Sequence, residues 1–514
     1  MEELFIDLSV VGIYLFIMVL IGLFESRTAA KSRESFFMGE RRFNWGYSLM
    51  HMFGTGTASD HPVAIAGACY SAGYSGIWYQ FNLLPLTPFF WILAPIFRRS
   101  KCLTTADFFE ERFSKSFSIA YAFMGAVFYF VYIGTILQAT GRVISAATLG
   151  AVSIELSIII MFVVFVIYGI SGGLKAAVIT DFIQGFMIII FSFGLLIPVI
   201  SHVGGMHAMN EALPASYLSM VAPHELTLGY IIALIIAQLA SWPCQPHHME
   251  ICGSARNELG SRIGVTYGMT LKRFCTIAWA IVGVAGFIIY PALVNREMLF
   301  GYVIHDFLPT GITGLVIASF MAMGMSSVDS YMIDGGALMT QVYSGLRPGR
   351  EEKEYLKYGR LFSFMIALAS VLFAFFLPSV VEGIKIMAEI LGFTGISWWL
   401  GVAWHRINSK GAWAGFLSSS ATFLVCRSLG IGYALEVFLF LTMGIALTIV
   451  VSLLTAPENR KEFLNRIYSG EDKKEYRKLF LDIGWPKRET WAGFIVACLV
   501  TLSIFGALAV IISL

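Results

Sequence analysis

The chain has 514 residues, of which 57% are apolar and only 13% charged, with a formal net charge of +2 and a mean hydropathy of +0.75. A soluble domain carries roughly 25% charged residues, so this composition excludes a soluble globular class and predicts a polytopic membrane protein. Its seven cysteines form no CxxC pair, which argues against a disulfide or metal framework.

Apolar runs of about 20 residues recur along the chain. They predict an all-α protein of fourteen transmembrane spans, centred near residues 15, 58, 86, 132, 162, 188, 236, 280, 327, 369, 394, 421, 445 and 502. The first span follows Glu2 and Glu3 rather than a basic segment, and so reads as a retained helix with its N-terminus outside. On that topology the C-terminus is outside too, and the cytoplasmic loops and their flanks hold 31 of the 35 Lys and Arg residues. The exceptions are Arg142, Arg296, Lys385 and Arg427. The basic loops are then topological signals facing anionic lipid, with no call for nucleic acid.

Two spans are interrupted. The second contains Gly54-Thr55-Gly56-Thr57-Ala58-Ser59-Asp60-His61-Pro62, and the seventh Trp242-Pro243-Cys244-Gln245-Pro246. Glycine weakens a helix, and proline removes a donor and clashes with the preceding turn. A proline kink explains either break alone. Each break, however, opens a block of five spans, and breaks in matching positions of two halves predict an inverted repeat with a midplane site. The expected organisation is a single transmembrane transporter domain, 1–514, with repeats at 44–200 and 227–405 and peripheral helices at 5–24 and 412–514.

Polar residues punctuate the other spans. The third carries Tyr79 and Gln80. The fourth carries Thr135, Gln138 and Arg142, the last expected to snorkel to the outer surface. The sixth follows Gly172-Gly173-Leu174-Lys175 and holds Asp181 about a turn and a half inside, with Gln184 continuing that face inward; a helix-capping acid is the competing reading. Gln238, Ser241 and Trp242 flank the break in the seventh span, and Glu389 and Thr394 lie in the eleventh. Each could serve only helix–helix hydrogen bonding; together they supply what a pocket for a small polar solute needs. His247-His248 lacks an acidic partner at ligand spacing, and adjacent side chains diverge on a helix, so the pair is not read as a metal site.

The ninth span holds Ser326-Ser327-Val328-Asp329-Ser330 within an apolar helix. Unsatisfied, these groups cost several kcal/mol at membrane depth. Ser326, Asp329 and Ser330 are spaced i, i+3, i+4 and share one face. Hard oxygens converging there suit Na⁺. After Thr455 only one polar loop and one further span follow, so no transmitter domain is expected, and no GxSxG, HExxH or Walker motif suggests an enzyme.

The stretch Gly172-Gly173-Leu174-Lys175-Ala176-Ala177-Val178-Ile179-Thr180-Asp181-Phe182-Ile183-Gln184 closely resembles the signature of the sodium:solute symporter family. Ala322-Met323-Gly324-Met325-Ser326-Ser327 resembles its sodium-binding helix. Lesser matches are Ser35-Phe36-Phe37-Met38-Gly39-Glu40-Arg41-Arg42, which lacks the usual glycine pair, and the segment from Leu103 to Phe113. The resemblance spans roughly residues 5 to 455. It implies a LeuT-type inverted five-helix repeat and Na⁺-driven uptake by alternating access. It further implies a main sodium site at the hydroxyls of Ser326 and Ser327 with the carbonyls of Met323, Gly54 and Thr57. A second sodium site, found in some members, would use Asp181, Ser326, Asp329 and Ser330, although Asp329 departs from the hydroxyl seen in several of them. The same resemblance puts Asp60, His61, Tyr79, Gln80, Gln238 and Trp242 near the substrate cavity.

The favoured reading is a Na⁺-coupled importer of a small polar organic solute, a sugar, amino acid or organic acid, in the cell membrane. The alternatives are a proton-coupled symporter, suggested by Asp181 and Asp329, and a membrane sensor that kept the fold without transport. The identity and charge of the solute stay open, because Asp60 favours a cationic or hydroxyl-rich molecule and an inward Arg142 would favour an anion.

Overall fold

Short polar residues start the helices of this protein. Asn44 accepts hydrogen bonds from the Gly46 and Tyr47 amides, Asn257 from Gly260, and Ser153, Ser379 and Asn408 do the same at their own helix starts. Such caps satisfy amides that have no intrahelical acceptor. The structure, a computed structural model, describes residues 2–29, 33–222, 226–468, 477–479, 483–485 and 488–514. Of the basic residues counted as topological signals, Lys31, Lys473, Lys474 and Lys487 lie outside the described residues, as do the side chains of Arg27, Arg33, Lys175, Arg477, Lys478 and Arg488.

The helices that frame the site are numbered in chain order. They are α1 (Glu2–Ala29), α2 (Trp45–Thr55), α3 (Asp60–Ala72), α4 (Thr87–Ser100), α5 (Lys115–Ala147) and α6 (Ile154–Gly194). Next come α7 (Leu228–Ser241), α8 (His247–Ser254), α9 (Glu258–Ile289), α10 (Ile312–Leu346) and α11 (Glu352–Phe376), then α12 (Val380–Ala403), α13 (Ser409–Ser428), α14 (Tyr433–Leu454) and α15 (Arg488–Ser513). A short antiparallel strand pair, Arg477–Leu479 with Ile483–Trp485, precedes α15.

Both predicted interruptions are present. Residues 56–59 separate α2 from α3, and Trp242–Cys244 with Gln245 and Pro246 separate α7 from α8 with a bend of 57°. Gln245 is extended there, as expected of a residue before proline. The middle of the molecule is α10, buried along most of its length and packed against α5, α6, α11 and α2. The broken pair α2–α3 leans on α9, and α8 reaches α2 and α10. Lipid-facing apolar side chains concentrate on α1, α6, α11, α14 and α15.

The count of fourteen spans is not reproduced. Among the described residues ten helices are long and apolar enough to cross a membrane, or eleven with the bent α7–α8 pair. The shortfall has identifiable causes. Residues 60–100 form one run of helical turns, so the spans near 58 and 86 merge. The segment near 162 is apolar only over Ile154–Ile167, and α13 near 421 is diluted by Ser418-Ser419-Ser420 with Lys410 and Arg427. The short loop expected around Lys175, between the spans near 162 and 188, keeps a helical backbone, and α6 runs for 41 residues, about 60 Å, roughly twice the hydrocarbon thickness.

Candidate ion and solute site

Three helices bring buried oxygens together at the α2–α3 break. From α10, Ser326 Oγ donates to Asp181 Oδ1 on α6. Ser327 Oγ donates to the Thr55 carbonyl at 2.9 Å and to the Met323 carbonyl at 3.4 Å. The Tyr331 hydroxyl also donates to the Thr55 carbonyl, at 2.9 Å. Thr55 Oγ1 lies 3.2 Å from Asp181 Oδ2 and 3.3 Å from Ser330 Oγ. The close approach needs glycine at position 54, where a Cβ would sit 2.6 Å from Ser326 Oγ and 3.2 Å from the Asp181 Cβ. All of these side chains are buried.

The structure thus gathers Gly54, Asp181, Met323, Ser326, Ser327 and Ser330 around Thr55. Asp329 is buried on the same helix, with Oδ1 accepting from the Ser330 amide at 2.8 Å. Thr57 lies in the break; its amide donates to the Gly54 carbonyl at 3.0 Å, and its buried Oγ1 has no hydrogen-bond partner among the described residues. Carboxylate, hydroxyl and carbonyl oxygens without a thiolate or a free imidazole form a donor set for a small hard cation. No cluster of three His, Cys, Asp or Glu residues suited to a metal ion occurs among the described residues.

His51, on α2, completes this cluster. Its Nδ1 is 2.5 Å from Asp181 Oδ2 and its Nε2 is 2.9 Å from Glu250 Oε1 on α8. The ring serves both carboxyl groups only with a proton on each nitrogen, or with the proton held by one of the carboxyls.

Beside the oxygen cluster lies a polar cavity walled by His61, Tyr79, Gln80, Tyr132, Gln238, His247, His248, Lys272 and Tyr331, with Met52, Phe128, Met269 and Met387 supplying apolar surface. Gln238, His247 and His248 belong to this wall, and Gln238 Oε1, His247 Nδ1 and His248 Nε2 are buried with no hydrogen-bond partner among the described residues. The Ala58 amide donates to His61 Nδ1 at 3.1 Å, which turns Nε2 toward the Tyr132 hydroxyl at 3.2 Å. Lys272 Nζ donates to the freed Gly56 carbonyl at 2.6 Å, and Arg273 holds Gln80 Oε1 at 2.9 Å.

Four of the six solute candidates, His61, Tyr79, Gln80 and Gln238, line this cavity together. The other two are elsewhere. Trp242 is sealed in an aromatic stack, 3.9 Å from Phe90 with planes 5° apart and edge-on to Phe97, because its apolar ring finds more contact in the core than at a wet wall. Asp60 is the first residue of α3; its Oδ2 is 3.7 Å from His61 Nε2, and both carboxylate oxygens are buried without a hydrogen-bond donor among the described residues.

Several polar residues of the spans serve packing instead. Arg142 does not snorkel; it is buried in an ion pair with Glu297 and donates to the Pro378 carbonyl at 3.0 Å. One guanidinium nitrogen of Arg427, Nη2, donates to both carboxylate oxygens of Glu389, at 2.6 and 2.8 Å, while its Nε donates to Glu436 Oε1 at 3.1 Å. Gln184 bonds the Tyr14 hydroxyl of α1 at 3.0 Å. Lys272 and Arg273, counted as a cytoplasmic flank, are instead buried midway along α9.

The sequence model of the sodium:solute symporter family matches residues 36–419. The chain belongs to the sodium:solute symporter family. The sodium/glucose cotransporter of Vibrio parahaemolyticus is 24% identical over 460 residues, covering 81% of this chain and 84% of its own length. The osmoregulated proline transporter OpuE of Bacillus subtilis (strain 168) is 26% identical over 481 residues, covering 86% and 94%. Among solved structures, a Na⁺-coupled sialic acid symporter in a substrate-bound outward-open state superposes with a TM-score of 0.77 at 19% identity, over 88% of this chain and 99% of that one. This symporter and the present chain share a fold, and the protein is a multi-pass membrane transport protein of that architecture.

Proposed function

We propose that this symporter family member is a Na⁺-coupled importer of a small polar organic solute, a sugar, amino acid or organic acid, working by alternating access. The observation that carries the reading is the convergence of α2, α6 and α10 oxygens at the helix break, immediately beside a polar cavity that shares Tyr331 and the Gly56 turn with it. An ion and a solute held that close share side chains, so each can stabilise the arrangement the other needs.

In this reading Ser326 and Ser327, with carbonyls of Met323, Gly54 and Thr57, hold the coupling ion, and Asp181, Asp329 and Ser330 offer a second position. Thr55 joins them, since its carbonyl already receives two hydroxyls. His61, Tyr79, Gln80 and Gln238 hold the solute with Lys272, His247 and His248, whose nitrogens reach hydroxyl or carboxylate groups. Asp60 acts through His61 and Lys272, and Trp242 through packing. Residues 44–200 and 227–405 act as inverted repeats that rock around this site, with 5–24 and 412–514 peripheral and both termini outside.

Uptake into proteoliposomes tests the proposal. Labelled glucose, myo-inositol, proline and sialic acid, supplied separately under an inward Na⁺ gradient, should include a substrate that accumulates with NaCl and not with KCl. Uptake of every solute that ignores the Na⁺ gradient would overturn the reading; accumulation driven by a pH gradient alone would replace Na⁺ by H⁺.

A further inference from the structure

His51 touches both broken spans at once. Its ring hangs from α2, one turn before Thr55, and meets Asp181 of α6 on one side and Glu250 of α8 on the other. The three side chains are 1%, 0% and 3% exposed, so no bulk water competes for these bonds. At one end Asp181 receives the Ser326 hydroxyl. At the other, Glu250 lies three residues after His247, on the same face of α8, and His247 and His248 form cavity wall. A continuous hydrogen-bonded line therefore runs from Ser326 through Asp181, His51 and Glu250 to the helix that carries the imidazoles of the solute cavity.

We propose that His51 is the positioning residue through which occupation of the oxygen cluster reaches α8 and the solute cavity. This rests on reading Ser326, Ser327 and Asp181 as the ion side. A cation drawing on the carboxylate of Asp181 competes with the His51 contact on the same group. The ring then gives up part of its hold on Asp181, and Glu250, its other partner, follows. The 57° bend and the extended Gln245 set α8 apart from α7, and His248 Nδ1 bonds the Trp242 carbonyl of the break at 2.7 Å. A second link, from Ser327 through the Thr55 carbonyl to Tyr331, meets α8 only by ring contact, with the Tyr331 and His247 centroids 5.2 Å apart, and carries no hydrogen bond into that helix.

The test uses Na⁺ alone as the probe, on the full-length purified protein, and reads amide hydrogen exchange in NaCl against KCl of equal ionic strength. In the wild type, Na⁺ should slow exchange both in peptides covering residues 325–331 and in those covering 247–254. His51→Gln should keep the first response and lose the second. A His51→Gln protein that keeps both, or a wild type that responds at 325–331 and not at 247–254, overturns the proposal. A wild type that responds at neither segment overturns the ion-site reading beneath it. Should His51→Gln fail to fold, Glu250→Ala leaves the His51–Asp181 contact in place, removes the acceptor on α8 and must lose the 247–254 response; retention there overturns the proposal equally.

Discussion

Ser326 and Ser327 are adjacent, yet their hydroxyls point to different partners, a carboxylate on α6 and a carbonyl on α2. Alanine at either position removes one oxygen and little volume. Loss of one buried polar partner costs about 1–3 kcal/mol, so apparent Na⁺ affinity should fall roughly 5- to 150-fold in each single variant, read from the Na⁺ dependence of uptake. Unchanged Na⁺ dependence in both would remove them from the ion site. Gln238 and Trp242, neighbours in sequence, should separate in the same way. Gln238→Ala should weaken solute affinity with little change in thermal unfolding. Trp242→Ala, which empties an aromatic stack, should lower stability by about 3–5 kcal/mol with a smaller effect on affinity in the protein that remains folded. The serine–aspartate run was legible because polar oxygens inside an apolar helix need a reason. His51, Glu250 and Thr55 were not, because a lone histidine or glutamate beside a glycine-rich break has no pattern until α2, α6 and α8 are folded against one another. Lys272 and Arg273 carried a usable signal that basic-loop counting hid. The Asn257 cap starts α9 at Glu258, which puts Lys272 about 21 Å along the helix, far inside.

At the level of helices, the contact between α7 and α12 depends on Gly395, where a Cβ would overlap the Ala240 carbonyl next to the second break. Gly395→Val should push the two helices apart, lower the unfolding temperature and reduce uptake; a variant as stable and active as the wild type would show that α12 can slide without cost. The Arg142–Glu297 pair ties α5 to the start of α12, since Glu297 Oε1 also accepts the Val380 amide at 2.8 Å. Removing one member strands a buried charge, so Glu297→Gln should cost about 3–5 kcal/mol, more than replacing both members with apolar residues of similar size. Thermal unfolding in detergent distinguishes the two. Helix breaks were readable here because Gly, Pro and their spacing act locally. Span number was not, because whether Ile154–Ile167 or the serine-rich α13 counts as a crossing depends on what packs beside it.

For the molecule as a whole, the asymmetry of Lys and Arg predicts both termini outside. A thiol-specific, membrane-impermeant reagent applied to right-side-out vesicles should label a cysteine placed at Glu2 and spare one placed at Lys353; the reverse pattern would invert the topology. Not every basic residue in that asymmetry lies at a membrane surface. Lys272 and Arg273 are core residues, and Arg112 is fully buried with its guanidinium on the carbonyls of Gly401, Trp404 and Ile407. One last dimension concerns α10. Its 35 residues extend about 52 Å, well beyond a hydrocarbon layer of about 30 Å. From Ser326 to Leu346 is about 30 Å of helix. Moving as a rigid rod, that arm turns each degree of tilt at the serines into about half an ångström at its far end, so a tilt of a few degrees at the oxygen cluster becomes a displacement of an ångström or more where the helix ends.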